Sequence, residues 1–202
     1  MLKLFLKKKE FLLAVFANLI VQLGITYWTM MHYPLYKKNN TMFFVYIILQ
    51  FAIIFALVLV PMPMIVKFIL FSFFSFIWGI LFSMYREIPF YNDLIQFSIA
   101  STAAIFLSMF LVGVLLLFMG IHLGIRFAFV LFFALLFLIT AQLLDMFSLH
   151  WLSGVSVVLF ALYIIYDTNI ILQRDYRGDF INASLDYFLN TINIFLSFMN
   201  NQ

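Results

Sequence analysis

The pattern of apolar and polar positions divides the chain into seven long apolar stretches, with charges, prolines and turn residues collected in the short breaks between them. The stretches run from about Phe11 to Met31, Met42 to Val60, Met64 to Tyr85, Phe97 to Met119, Ile125 to Leu144, Leu149 to Leu172 and Phe180 to Met199. A hydrocarbon core about 30 Å thick is crossed by about 20 apolar residues in a helix, so each stretch predicts a transmembrane helix. The second and third are parted only by Pro61-Met62-Pro63, because proline lacks an amide donor and clashes with the preceding turn. The last stretch is interrupted by Asp186, Asn190 and Asn193. It is read as a full crossing, with a re-entrant hairpin as the alternative. The expected fold is all-α: one transmembrane domain over residues 1–202, a seven-helix polytopic bundle whose last helix is partly polar and central.

Composition removes the soluble alternative. Of 202 residues, 67% are hydrophobic and 9% charged, against about 25% charged in soluble globular chains. A chain this poor in polar groups cannot coat itself against water. The net charge of +3 therefore bears on membrane topology, and no nucleic-acid partner is expected. With no cysteine, disulfides, thiolate metal sites and cysteine nucleophiles are excluded. No HExxH pattern occurs and His32, His122 and His150 are far apart, so a zinc hydrolase is not expected. No activated serine beside a base stands out either, and the chain is read as a non-enzyme without a resident cofactor.

The basic residues orient the helices, since cytoplasmic loops carry an excess of Lys and Arg. With the N-terminus inside, eight cations face the cytoplasm (Lys3, Lys7, Lys8, Lys9, Lys67, Arg126, Arg174 and Arg177) and three face away (Lys37, Lys38 and Arg86). This makes residues 1–10 a cytoplasmic basic segment and residues 173–179 a cytoplasmic loop. The lysines ahead of the first stretch resemble the start of a signal peptide. The stretch is long and shows no small-x-small cleavage site, so it is read as an uncleaved helix.

Ionisable and polar groups inside apolar helices are costly and mark candidate sites. Five of the eight acids lie in tails, loops or their edges, and Asp145 ends the fifth stretch; Asp167 and Asp186 fall well inside helices. Ser153, Ser156, Tyr163 and Asp167 recur at offsets 0, 3, 10 and 14, one face of the sixth helix. Asp186, Asn190, Asn193, Ser197 and Asn200 recur at offsets 0, 4, 7, 11 and 14, one face of the seventh. Lipid satisfies none of these groups, so both stripes face protein or water. They serve either as interhelical hydrogen-bonding glue or as a water-accessible path. Asp167 and Asp186 are each 9.5 positions from the midpoint of the intervening loop, which places both at similar depth, roughly 10 Å inside the boundary at helical rise. Two close carboxylates in a low-dielectric site do not both stay ionised easily. They titrate as a unit and suit a pH switch. The small-residue faces Ser72, Ser75, Gly79, Ser83 on the third helix and Ser98, Ser101, Thr102, Ser108 on the fourth are expected to serve close helix packing.

Residues 162–168 read LYIIYDT, and a short polar loop leads to a final helix carrying Asn193-Ile194-Phe195. This C-terminal third resembles the transmembrane BAX inhibitor motif family, also called the Bax inhibitor-1 family. Its sixth helix ends in a similar (L/Y)xxYDT element, and its final helix ends in a motif like LYLDxxNxF. The resemblance implies a helical membrane fold around a partly polar last helix. It also implies a pH-sensitive calcium leak, suppression of cell death, or modulation of a membrane-bound protease. In the channel members one aspartate on each of the last two helices senses protons. The first carries over to Asp167, and the position of the second holds Asn190. Hairpin depth instead nominates Asp186 as the partner. The family's latching cations between the second and third helices correspond here to Lys67.

The function expected first is therefore a pH-sensitive cation leak, calcium being the implied ion, with Asp167 as sensor and gate opposite Asn190 or Asp186. The polar path would be Ser153, Ser156, Tyr163, Asn193 and Ser197. Asp167 and Asp186 would supply a transient calcium site, because Ca²⁺ normally takes six to eight oxygen ligands and these residues provide only part of that shell. The alternative is a non-conducting regulator with a protein partner, an anti-death factor or protease modulator, in which the stripe is structural. The host membrane is expected to be a bacterial inner membrane or an intracellular membrane. For topology, cysteines placed at Lys8 and Arg177 are expected to stay shielded from an impermeant thiol reagent outside intact cells; labelling of both from outside would reverse the orientation.

Overall fold

A computed structural model describes residues 2–36 and 40–200. Lys37 and Lys38, two of the cations assigned to the far side, lie outside the described residues. The chain forms α1 (Leu2–His32), α2 (Asn40–Leu59), α3 (Met64–Phe82) with a short 3-10 extension over Ser83–Glu87, α4 (Tyr91–Phe118), α5 (Ile125–Leu143), α6 (Leu149–Gln173) and α7 (Phe180–Met199). Among the described residues six helices are long and apolar enough to cross a bilayer: those within α1, α2, α3 with its extension, α4, α5 and α6. The protein is thus an all-α, multi-pass membrane protein.

Each apolar stretch becomes a helix, with differences at the ends. The lysine run is itself helical, since α1 starts at Leu2. Helix α4 starts at Tyr91 rather than Phe97, with Asp93 in its first turn, where the helix dipole favours an acid. Helix α7 is one unbroken helix, so its segment does not form a hairpin. A helix satisfies its own backbone and tolerates polar side chains that find partners elsewhere.

By the packing of its backbone the chain divides into two compact units, each described by itself. One comprises Glu10–Tyr91 and Arg177–Phe188, and the other Met1–Lys9, Asn92–Tyr176 and Leu189–Gln202. In the first, α1 buries Leu12, Val15, Leu19, Gln22, Thr26 and Thr29 along one face. Gly79 lets α3 come close to it: a Cβ at Gly79 would lie 2.5 Å from Thr29 Cβ and 2.6 Å from the Thr26 carbonyl oxygen. The rings of Phe71 and Phe74 pack on Phe188, at centroid separations of 5.2 and 5.8 Å. Arg86 donates to the Met31 carbonyl at 2.8 Å and to that of Tyr33, closing the end of α1 with the cation that a helix C-terminus favours.

The same unit holds the start of α7. Asp179 Oδ1 accepts from the backbone N–H of Asn182 at 3.1 Å, the bond of a helix N-cap. Its Oδ2 accepts from Asn182 Nδ2 at 2.9 Å and pairs with Lys67 Nζ at 2.5 Å. Lys67, 8% exposed, is thereby charge-compensated within the first turn of α3.

In the second unit, α5 and α6 pack through Leu131, Leu138 and Leu159, flanked by Phe127, Leu135, Tyr163 and Tyr166. Gly113 of α4 meets α6 as Gly79 meets α1: a Cβ there would lie 2.7 Å from Thr168 Cβ and 2.8 Å from the Ile165 carbonyl oxygen. Phe97 of α4 and Phe198 of α7 stack edge to face at 5.8 Å. Lys8 donates to the carbonyls of Ile171, at 2.8 Å, and Arg174 at the end of α6. The beginning of α1 therefore lies against the end of α6.

Two expectations follow. Gly79→Leu and Gly113→Leu should each lower stability in detergent by about 1–3 kcal/mol through overpacking. Gly24→Ala, with open space around it, should change it by less than ~0.5 kcal/mol; thermal unfolding of the purified variants reads both. Asp179→Ala removes a helix cap as well as an ion pair and should destabilise more than Lys67→Met. A double-mutant cycle on the pair should return a coupling of about 0.5–3 kcal/mol, and a coupling of zero would show the pair to be energetically silent.

Candidate functional site

The polar faces of α6 and the second half of α7 meet within one unit. Asn190 Nδ2 donates to Asp167 Oδ2 at 2.6 Å. Asn190 is buried, and its amide can donate a hydrogen bond to a carboxylate while its oxygen accepts another. Further along, Ser197 Oγ lies 2.7 Å from the Asn193 carbonyl and 2.9 Å from Ser156 Oγ. A hydroxyl has one hydrogen to give, so with Ser197 donating to the carbonyl, Ser156 donates to Ser197. Asn193 turns its Nδ2 onto the Leu189 carbonyl at 2.7 Å. Ser153 is buried one turn beyond Ser156. From Asp167 to Ser156 the column runs eleven residues of α6, about 16 Å at helical rise, or roughly half the hydrocarbon thickness.

Asn190, one of the two residues nominated opposite Asp167, donates a hydrogen bond to it. That is one helical turn deeper in α7 than equal counting from the loop implies, because pairing between helices depends on their rotation and crossing as well as on distance from the turn. Asp186 belongs to the first half of α7, in the other unit. Tyr163 is half-buried and packs its ring against the leucine cluster between α5 and α6, with Phe160 stacked beside it at 5.9 Å. Lys67 is engaged by Asp179.

Two features were not expected from the stripes on α6 and α7. Asn169, two residues after Asp167, is fully buried. Its Oδ1 accepts from the Leu123 N–H at 2.8 Å and its Nδ2 donates to the Ile121 carbonyl at 3.0 Å. It thus clamps the α4–α5 link onto α6, and Gln173 bonds to it in turn and reaches His122 at 2.9 Å. Near a helix end, such an asparagine reads from sequence as a boundary residue.

The second feature is a polar column on α1, in the other unit. Asn18 Nδ2 donates to Ser184 Oγ at 2.5 Å. Gln22 Nε2 donates to Asn18 Oδ1 and to Ser72 Oγ, both at 3.3 Å, and Ser75 Oγ lies 2.9 Å from Gln22 Oε1. Thr26 Oγ1 reaches the carbonyls of Gln22 and Ser75 at 3.0 and 3.1 Å. Asn18, Gln22, Thr26 and Thr29 recur at offsets 0, 4, 8 and 11. That periodicity is the sequence signal for the face, diluted by the apolar residues around it. The serines expected to serve packing on α3 thus also supply hydrogen bonds.

Chemically, the α6–α7 column offers one carboxylate, two amides and several hydroxyls. A carboxylate beside an amide can bind and release a proton, or meet a cation in passing. Among the described residues no three His, Cys, Asp or Glu side chains gather where they could hold a metal ion.

No curated protein matches the chain. Family comparison is decisive: over residues 8–201, nearly all of its length and the whole of the column, the chain matches the family described as inhibitor of apoptosis-promoting Bax1, and it belongs to that Bax inhibitor-1-like transmembrane family.

Proposed function

We propose that the chain is a pH-sensitive cation leak protein of the Bax inhibitor-1-like type, in which Asp167 is the proton sensor and gate. Helix α7 acts as a seventh, partly polar crossing: none of its residues is exposed, although it carries Asp186, Asn190 and Asn193. The observation that carries the reading is the 2.6 Å bond between Asp167 and Asn190, inside helices that are mostly apolar. Protonating Asp167 removes the charge that this amide addresses and weakens the tie between α6 and α7, since hydrogen bonds to charged groups are worth roughly twice neutral ones. The column from Asp167 to Ser156 and Ser197 is then the path, and the ion is cargo, calcium being the one that the family resemblance implies. No resident cofactor and no catalytic step enter this reading.

A second reading is favoured by the same geometry. Ser156, Asn193 and Ser197 are engaged with protein groups, as they would be in a non-conducting regulator whose polar stripe only joins helices. Such a regulator would act through a protein partner, on cell death or on a membrane-bound protease. Flux separates the two. Purified protein in liposomes should pass cations with a rate that depends on pH, and Asp167→Asn should hold that rate in one state across the pH range. A variant that keeps the wild-type pH profile would remove Asp167 as sensor, and liposomes that pass no cation at any pH would leave the regulator.

A further inference from the structure

Charge in the second unit is sorted by end. Its Lys and Arg residues are Lys3, Lys7, Lys8, Lys9, Arg126 and Arg174, and all six fall where α1 begins, α5 begins and α6 stops. The opposite ends of α4 and α5 carry Asp93 and Asp145 instead. The acids nearest the cations in sequence are Glu10 and Asp175, so six cations stand against two acids at the basic end.

Three contacts gather this end around the last turn of α6. Lys8 Nζ donates to the carbonyls of Ile171, at 2.8 Å, and Arg174. Asn169 holds the α4–α5 link by the N–H of Leu123 and the carbonyl of Ile121, and His122 meets Gln173 at 2.9 Å. Arg126 follows that link in the first turn of α5. The apolar spans of α1, α5 and α6 stop at the same place, at Lys8, Ile125 and Gln173. The cations therefore stand at the depth of lipid headgroups.

The side chains present there have two characters. Lys8 is spent on backbone carbonyls, whereas Lys9, Arg126 and Arg174 are exposed, and among the described residues no ion pair engages them. Beside Arg126, α5 exposes Ile125, Phe129 and Phe133 on successive turns. Cations at the boundary with an apolar helix face running from them into the membrane match both parts of a phospholipid, a phosphate and its acyl chains. A free phosphate would use the cations alone. We propose that this end of the unit is a binding surface for anionic phospholipid, with Lys9, Arg126 and Arg174 addressing the headgroup and the exposed face of α5 carrying the acyl chains. The basic excess itself predicts a cytoplasmic position for this end, and the cytoplasmic leaflet is the one with a negative surface potential. Each cation near that surface favours anionic lipid by about fivefold. A bound lipid would fasten together the start of α1, the α4–α5 link and the end of α6, whatever the polar column conducts.

The test is native mass spectrometry of the purified full-length protein, released from micelles holding equal amounts of phosphatidylglycerol and phosphatidylcholine. Phosphatidylglycerol should be retained over phosphatidylcholine by about tenfold or more. Lys9→Gln with Arg126→Gln and Arg174→Gln should remove most of that preference, and each single change should lower it by about fivefold. Lys9→Arg with Arg126→Lys and Arg174→Lys, which keeps the charges, should keep it. Phosphatidylglycerol should also raise the thermal unfolding temperature of the wild type more than that of the neutral variant. Equal retention of the two lipids by the wild type, or an undiminished preference in the neutral triple and single variants, would overturn the proposal. Displacement of phosphatidylglycerol by inorganic phosphate at constant ionic strength would overturn it in favour of a free anion.

Discussion

Hydrocarbon offers no partner to a polar side chain, and most of what is specific in this protein follows from that. A chain that is 67% hydrophobic has no shortage of apolar surface, and apolar surface alone does not tell one helix where to meet another in lipid. Polar groups do, because each must find its partner inside the protein. In one unit Asn18 and Gln22 of α1 join Ser72 and Ser75 of α3 and Ser184 of α7. In the other, Asp167 and Ser156 of α6 join Asn190 and Ser197 of α7. Helix α7 thus contributes Ser184 to one network and Asn190 and Ser197 to the other, which accounts for the polar residues spaced along an otherwise apolar last helix.

Close approach is the second requirement, since a side-chain hydrogen bond near 2.6–2.9 Å leaves no room for a loosely packed pair of helices. Both units meet it in the same way. Gly79 admits α1 at Thr26 and Thr29, and Gly113 admits α6 at Ile165 and Thr168. In each case the glycine lies against a threonine and a backbone carbonyl, so the helices touch along backbone rather than along long side chains. The helix ends are finished by charge: Lys8 on the last carbonyls of α6, Arg86 on those of α1, Asp179 on the first amides of α7. A chain with few charged residues places several of them where backbone groups would otherwise lack partners.

The candidate site is a by-product of the same constraint taken to its limit. Most polar side chains in the helices are neutral and can be satisfied by one or two neighbours. Asp167 carries a charge when ionised, which makes its surroundings sensitive to protonation in a way that Ser156 or Gln22 are not. Its family fixes the general type of protein, a Bax inhibitor-1-like membrane protein.

Helices, breaks and membrane character were legible in the sequence because they depend on local quantities: runs of apolar residues, prolines, and the cost of charge in lipid. The polar faces of α6 and α7 were legible for the same reason, since helical periodicity alone puts Ser156 with Asp167 and Asn190 with Ser197. What only tertiary structure decided is which faces meet. Counting from the loop and the family register nominated different partners for Asp167, and the hydrogen bond from Asn190 is a product of how α7 is rotated against α6. Lys67, nominated as the counterpart of the family's latching cations, is held by the N-cap of α7 through an ion pair linking residues 112 positions apart. The polar face of α1 stood in the sequence at the right spacing, yet its meaning lay in Ser75 and Ser184, 53 and 166 positions from their partners. Periodicity orients a side chain about its own helix; the partner across the interface is chosen by helix rotation, tilt and close packing, which depend on all the helices at once.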